Sequence, residues 1–149
     1  MSSKNASIEQ FVDVYKQTNK LIFKLIQDIF IDVNDLQYAA YHLLHYVYYH
    51  ERCTQRQIAR DFFHTEAAIS RMVNELVVKG YLIRTVPKED RRKSIIEVSE
   101  NGRAKVKRLE SRINKVLTDI FSDLSASEIE NITNQNKRIQ EIVMKGMGQ

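Results

Sequence analysis

Residues 54–102 read TQRQIARDFFHTEAAISRMVNELVVKGYLIRTVPKEDRRKSIIEVSENG. Thr54 precedes Gln57 by three, the spacing at which a helix's first residues satisfy one another's side chains and backbone. Ile58, Ala59 and Phe62 give that short helix an inward face. Thr65 has the chemistry of an N-cap for the next helix, and Glu66 places an acid in the first turn, where the helix dipole favours it. Ile69, Met72, Val73, Leu76 and Val77 recur at the steps of one helix face. Lys79 and Gly80 end this helix with a cation and then a glycine suited to a left-handed C′ position. Two short β-rich runs, 82–86 and 95–98, flank a charged stretch at 87–94, which predicts a hairpin. Ser99 is placed to cap the helix that follows. Two helices, a glycine stop and a hairpin in this order predict a winged helix-turn-helix.

The flanks are helical too. Ile8, Phe11, Tyr15, Ile22, Leu25, Ile26 and Ile29 predict a long helix over 8–31 with a wide apolar stripe. Asn34 and Gln37 have capping-box spacing and predict a second helix running to about His50, with Leu36, Ala40, Leu43, Leu44 and Val47 on one face. After the hairpin, Val106, Leu109, Ile113, Val116, Leu117 and Ile120 form a stripe. Ser125 with Glu128 opens a last helix carrying Ile129, Ile132, Ile139 and Val143. Asn136 falls in that series, either as a polar residue that sets register in an apolar seam or as a solvent-facing one. The expected fold is mainly α with a small β-hairpin wing. Its winged helix-turn-helix DNA-binding module is expected at 34–99, and long N- and C-terminal dimerisation helices at 1–33 and 100–149.

Composition narrows the class. One proline and four glycines in 149 residues are too few turn formers for a sandwich or barrel. The single cysteine, Cys53, excludes an intrachain disulfide and a multi-cysteine zinc site. No apolar segment of the signal-peptide type follows Met1, so secretion is not expected. The longest uncharged run, residues 36–50, holds three histidines and is too short to span a bilayer. A cytoplasmic protein without a membrane partner is the expectation. The net charge of +4 is unevenly spread: residues 54–115 carry fifteen Lys and Arg against eight Asp and Glu, and the remainder is acidic. A basic middle points to a polyanion.

The second helix of such a module fits the major groove of double-stranded DNA, which is about 12 Å wide. Arg71 lies beside the inward Met72 and so points outward, sharing its side with Ala67, Ala68 and Asn74. Alanines there allow close approach to thymine methyls. The hairpin tip carries Lys88, Arg91, Arg92 and Lys93, and a guanidinium such as that of Arg92 suits the potential of a narrow minor groove. Asp90 fits as an intramolecular partner that orients an arginine, and Glu75 as a solvated or salt-bridging residue rather than a base reader. One helix reads only a few base pairs, so specificity calls for two half-sites and a homodimer.

Ser70 and Arg71, then Leu76 and Gly80, then Arg84, Asp90 and Arg92, then Val98, Ser99 and Gly102 follow one another at spacings that resemble the MarR family of winged-helix transcription regulators. The resemblance extends to the flanking helices. His64 departs from it where an apolar residue is usual, and Ser99 stands where threonine is commoner. The resemblance implies a homodimeric repressor on a pseudo-palindromic operator, modulated by a small aromatic ligand and needing no cofactor. It assigns DNA contact to Thr65, Ala67, Ala68, Ser70, Arg71, Asn74, Arg84, Asp90, Arg91, Arg92 and Lys93.

Tyr38, His42, His45 and Tyr49 form a second stripe, with Tyr41 beside it. It reads either as a packed aromatic face or as the wall of a ligand pocket with polar tips. His42 and His45 lack a third metal ligand. Cys53 is either a plain small residue or, just before a helix start, a thiol of lowered pKa in a redox-sensing regulator. No phosphate loop, nucleophile elbow or paired catalytic carboxylates occur, so an enzyme is not expected. The competing class is a helical protein-interaction module that does not bind DNA.

Overall fold

The computed structural model describes residues 3–31, 36–87 and 94–148. In chain order the elements are α1 (Ser3–Ile31), α2 (Tyr38–His50), β1 (Arg52–Thr54), α3 (Gln55–Asp61), α4 (Glu66–Val78), β2 (Leu82–Thr85), β3 (Ile95–Val98), α5 (Glu100–Ile120) and α6 (Ala126–Gly146). The fold is a mainly helical winged helix-turn-helix. The chain forms two compact units, Met1–Ser111 and Arg112–Gln149, with the boundary inside α5.

The first unit is built around residues with almost no exposure: Leu43, Leu44 and Val47 of α2, Ile58 of α3, Ile69, Val73 and Leu76 of α4, Ile96 of β3, and Val106 and Leu109 of α5. Burying each such side chain contributes about 1.5–3 kcal/mol. A three-stranded antiparallel sheet of order β1-β3-β2 closes one end. Its register pairs Cys53 with Ile96 and Leu82 with Val98. The hairpin was legible in the sequence, but β1 was not. Three residues carry no period, and the strand exists because β3 offers it a free edge.

Local capping follows the sequence closely at α3 and α6. Thr54 Oγ1 accepts from the Gln57 amide while Gln57 Oε1 accepts from the Thr54 amide, and Ser125 and Glu128 do the same. The start of α2 differs from expectation. Its N-cap is Gln37, in extended conformation and without a side-chain cap, while Asn34 lies outside the described residues. Leu36 is buried, so the chain enters the core extended before the helix begins.

The ends of α3 and α4 are the same hydrogen-bonded turn built from different residues. After α4, Tyr81 N donates to Leu76 O and Gly80 N to Val77 O, with Gly80 at φ 74°. After α3, His64 N donates to Ala59 O and Phe63 N to Arg60 O, and the left-handed residue is Phe63 at φ 53°. A side chain in that conformation costs about 1–2 kcal/mol. The α5 start locks onto the wing base: Ser99 Oγ accepts from Gly102 N and donates to Gly80 O. A Cβ on Gly102 would fall 2.1 Å from Tyr81 O and 2.8 Å from Val98 Cγ1.

Within the second unit the α6 residues are half-buried or exposed, and none is buried. Asn136 is half-buried and donates through Nδ2 to Ile132 O at 2.9 Å. Leu117, Phe121, Leu124 and Ile132 help line an apolar cavity of about 340 Å³.

Two substitutions should move stability in opposite directions. Phe63→Gly removes the left-handed penalty at an exposed site and should stabilise by about 1 kcal/mol. Gly102→Ala should destabilise by about 1–3 kcal/mol or more, since the wing base must shift. Urea denaturation of both variants checks this; a neutral Gly102→Ala would refute the tight joint.

Candidate nucleic-acid interface

One side of α4 is seated and the other is bare. Ile69, Val73 and Leu76 have no exposure, and α4 packs on α2, α3 and β2. At 100° per residue that seating turns Ala67, Arg71, Asn74 and Val78 to the opposite side and leaves Ser70 on the flank. Ala67, Arg71 and Asn74 are exposed, Ala68 and Ser70 half-buried, and Val78 is 88% exposed. Thr65 is the N-cap, its Oγ1 accepting from Ala68 N at 3.2 Å. The helix therefore presents one guanidinium, one carboxamide, a hydroxyl and small apolar groups on a single face. Glu75 is tied to Lys79 at 2.8 Å, as expected of a salt-bridging residue.

Arg84 departs from a simple outward charge. It is half-buried on β2, and its Nη1 donates to Asn74 Oδ1 at 2.6 Å. Its Nε and Nη2 are covered and have no hydrogen-bond partner among the described residues. The sequence placed Arg84 and Asn74 separately among the DNA contacts; ten residues apart, they carried no signal of being a pair. Lys105, counted in the basic middle, is also withdrawn from solvent: it is 5% exposed with Nζ 5.6 Å from the Tyr81 ring centre. Lys88, Asp90, Arg91, Arg92 and Lys93 lie outside the described residues. Phe63, 69% exposed and just before the α4 cap, was passed over in the sequence. Its only sequence signal is a bulky residue where a glycine would be expected.

The stripe on α2 is a run of ring contacts. Tyr38 meets Phe23 and Phe30 edge-on and stacks with His42 at 6.0 Å. His42 contacts Phe62 of α3 at 4.8 Å, and burial followed by the neighbouring His45 holds its pKa below the usual value. His45 and Tyr49 both reach Glu110 of α5: His45 Nε2 lies 3.0 Å from Glu110 Oε1, and Tyr49 Oη donates to the same oxygen at 2.7 Å. This hydrogen bond, before the smaller effect of desolvation, raises the Tyr49 pKa. Tyr46, on another side of α2, donates to Asp61 Oδ2 of α3 at 2.6 Å. That bond, then the one from Arg60, holds the Asp61 carboxyl below its ordinary pKa. Among the described residues no three His, Cys, Asp or Glu side chains are arranged to hold a metal ion.

Cys53 sits within β1 rather than at an exposed helix start. It is 4% exposed, and burial followed by the charge of Asp61 pushes its thiol up to about 11. This is the opposite of the lowered pKa a redox sensor needs.

Comparison with known proteins agrees with this geometry. The family model described as "MarR family" matches residues 34–93. Over those residues, which hold α2 to β2, the chain is similar to the MarR family. An uncharacterised HTH-type transcriptional regulator of Bacillus subtilis, YwhA, is 27% identical over 86 residues, 58% of this chain; the match spans 62% of that relative's length. BldR, a transcriptional regulator from Sulfolobus solfataricus, superposes with a TM-score of 0.75 at 21% identity, covering 95% of this chain and 99% of its own. A cysteine-to-serine variant of Escherichia coli MarR in complex with operator DNA gives 0.75 at 17% identity, covering 93% and 99%.

The thiol makes a direct check. Cys53 at pH 8 should react with a chromogenic disulfide reagent about a hundredfold more slowly in the native protein than in urea, because two pKa units remove that much thiolate. Labelling at the free-thiol rate would contradict the burial of β1.

Proposed function

We propose that the protein is a homodimeric transcription regulator, a repressor, which binds a pseudo-palindromic operator in double-stranded DNA. The observation that carries this is the face of α4, bare along Ala67, Arg71 and Asn74, with Ser70 half-buried at its margin, and seated firmly on its other side. A helix so presented inserts into the major groove, where Arg71 meets phosphate or a guanine edge and the alanines admit close approach. Arg91, Arg92 and Lys93 of the wing supply the flanking contacts to backbone and minor groove, with Asp90 as the intramolecular partner that orients an arginine. Thr65 adds its hydroxyl at the helix start. The MarR variant solved with operator DNA supports the reading by likeness of fold. No step of this function calls for a cofactor or for catalysis. No described helix is long and apolar enough to cross a membrane, and a DNA regulator acts in the cytoplasm.

Self-association through the terminal helices, taken as 1–33 and 100–149 around a DNA-binding module at 34–99, belongs to the same proposal. In the single chain Ile8, Phe11, Val14, Leu21 and Phe23 of α1 stand about half exposed or more, as do Ile132, Ile142 and Val143 of α6. Apolar surface of that extent marks an interaction site. A small aromatic ligand is the proposed modulator. On α2 it would meet Tyr38, His42, His45 and Tyr49. By competing with Glu110 for His45 and Tyr49 it would loosen the tie from α2 to α5, and it would act only by binding one arrangement of the DNA-reading helices better than another.

Arg71→Ala and Arg92→Ala should each weaken operator binding by about 1–3 kcal/mol, and the loss of a phosphate contact should lower the salt slope by about one. Fluorescence anisotropy on operator DNA across a salt series measures both. Unchanged affinity of Arg71→Ala at matched salt, or no salt-dependent binding by the wild type, would favour a protein-interaction module. Removal of residues 125–149 should yield a monomer or an insoluble chain in analytical ultracentrifugation; a stable dimer with full DNA affinity would assign α6 another role.

A further inference from the structure

Asn74 is the carboxamide of the DNA-facing side of α4, and its chemistry is set by Arg84. A guanidinium has donors only. Nη1 of Arg84 lies 2.6 Å from Asn74 Oδ1, so the carboxamide must turn its oxygen to the wing and its NH₂ group away. The reverse orientation would set donor against donor. The hold is a strong one. Among the described residues Arg84 Nε and Nη2 are covered and have no hydrogen-bond partner, so Asn74 carries the charge-assisted contact of a guanidinium whose other two nitrogens are withdrawn from water. Asn74 itself is exposed, and the group it turns away from Arg84 is its NH₂ donor.

We propose that Arg84 is a positioning residue which restricts Asn74 to reading a hydrogen-bond acceptor in the major groove, a guanine O6/N7 edge or a thymine O4. This deepens the DNA-binding function proposed above and rests on it. A free asparagine pairs with adenine, accepting from N6 and donating to N7. That pairing needs the oxygen and the NH₂ group turned together to the base edge, whereas Arg84 holds the oxygen towards the wing strand. Guanine offers two acceptors to the NH₂ group and thymine one, while adenine sets its N6 donor beside it. The wing strand thus decides which base the recognition helix prefers, without Arg84 touching DNA.

Selection of binding sites from random duplex DNA by the full-length protein tests this. The step read by Asn74 is located as the one whose preference is lost in Asn74→Ala. The wild type should favour guanine or thymine over adenine there by about tenfold, the size of one good base contact. Arg84→Met, which cannot donate, should shift the preference at that step towards adenine and leave the other steps unchanged. Arg84→Lys, which still donates, should keep the wild-type preference. An adenine preference in the wild type overturns the proposal, and so does an Asn74→Ala selection identical to the wild type; both leave DNA binding itself standing. An Arg84→Met selection that weakens all steps equally, or leaves the Asn74 step unchanged, reduces Arg84 to a structural residue. A wild type that selects no sequence overturns the DNA-binding function and this inference with it. If Arg84→Met does not fold, the wild-type preference at the Asn74 step decides the matter.

Discussion

The seating of α4 is the constraint on which the rest of the first unit depends. Ile69, Val73 and Leu76 are fully enclosed, and a helix anchored by three such residues cannot rotate without exposing them. Each would forfeit about 1.5–3 kcal/mol on leaving the core. The direction of the bare face follows from that burial alone, since residues seven apart on a helix lie within about 20° of one another. Arg71 and Asn74 are outward because Val73 is inward. The joint of Ser99 and Gly102 with the wing base then fixes the hairpin relative to the helix that ends at Gly80.

Electrostatics in this molecule are more selective than the charge count implies. The basic middle contains Lys105, which is enclosed against Tyr81, and Arg84, which turns to Asn74. Lys79 is held by Glu75, and Arg60 by Asp61. Exposed ion pairs of this kind add little to stability, but they take cations out of the pool that faces a polyanion. What remains on α4 is Arg71. The net charge of a segment therefore predicts the class of partner better than it predicts which residues meet it.

Helix α2 joins these parts. Its apolar side holds the core through Leu43, Leu44 and Val47. Its aromatic side reaches α1 through Tyr38, α3 through Tyr46 and His42, and α5 through His45 and Tyr49. Of the alternatives that the sequence left open at the Tyr38–Tyr49 stripe, the ring contacts are those of a packed aromatic face. Tyr38 and His42 pack against rings, while His45 and Tyr49 meet on one carboxylate, so the face is an aromatic seam that ends in a polar tie.

What the sequence alone determined is whatever depends on neighbours three or four residues away. The Thr54–Gln57 and Ser125–Glu128 boxes, the Thr65 cap, the Gly80 stop and the helical stripes are local hydrogen bonds and local periods, and they appear in the structure where they were expected. Distant partners decided the remainder. The strand β1 exists because β3 offers an edge to three residues that have no pattern of their own. The extended entry at Leu36 displaces the start of α2 to Tyr38, because burying Leu36 outweighs continuing the helix. Arg84 looked like one more wing cation until the fold set it against a residue ten positions earlier, and Glu110 meets Tyr49 across sixty-one. Side-chain identity tells which bonds a residue is able to make. Only the tertiary structure supplies the partner, because burial chooses which faces meet and the polar groups then pair with whatever burial has brought within reach.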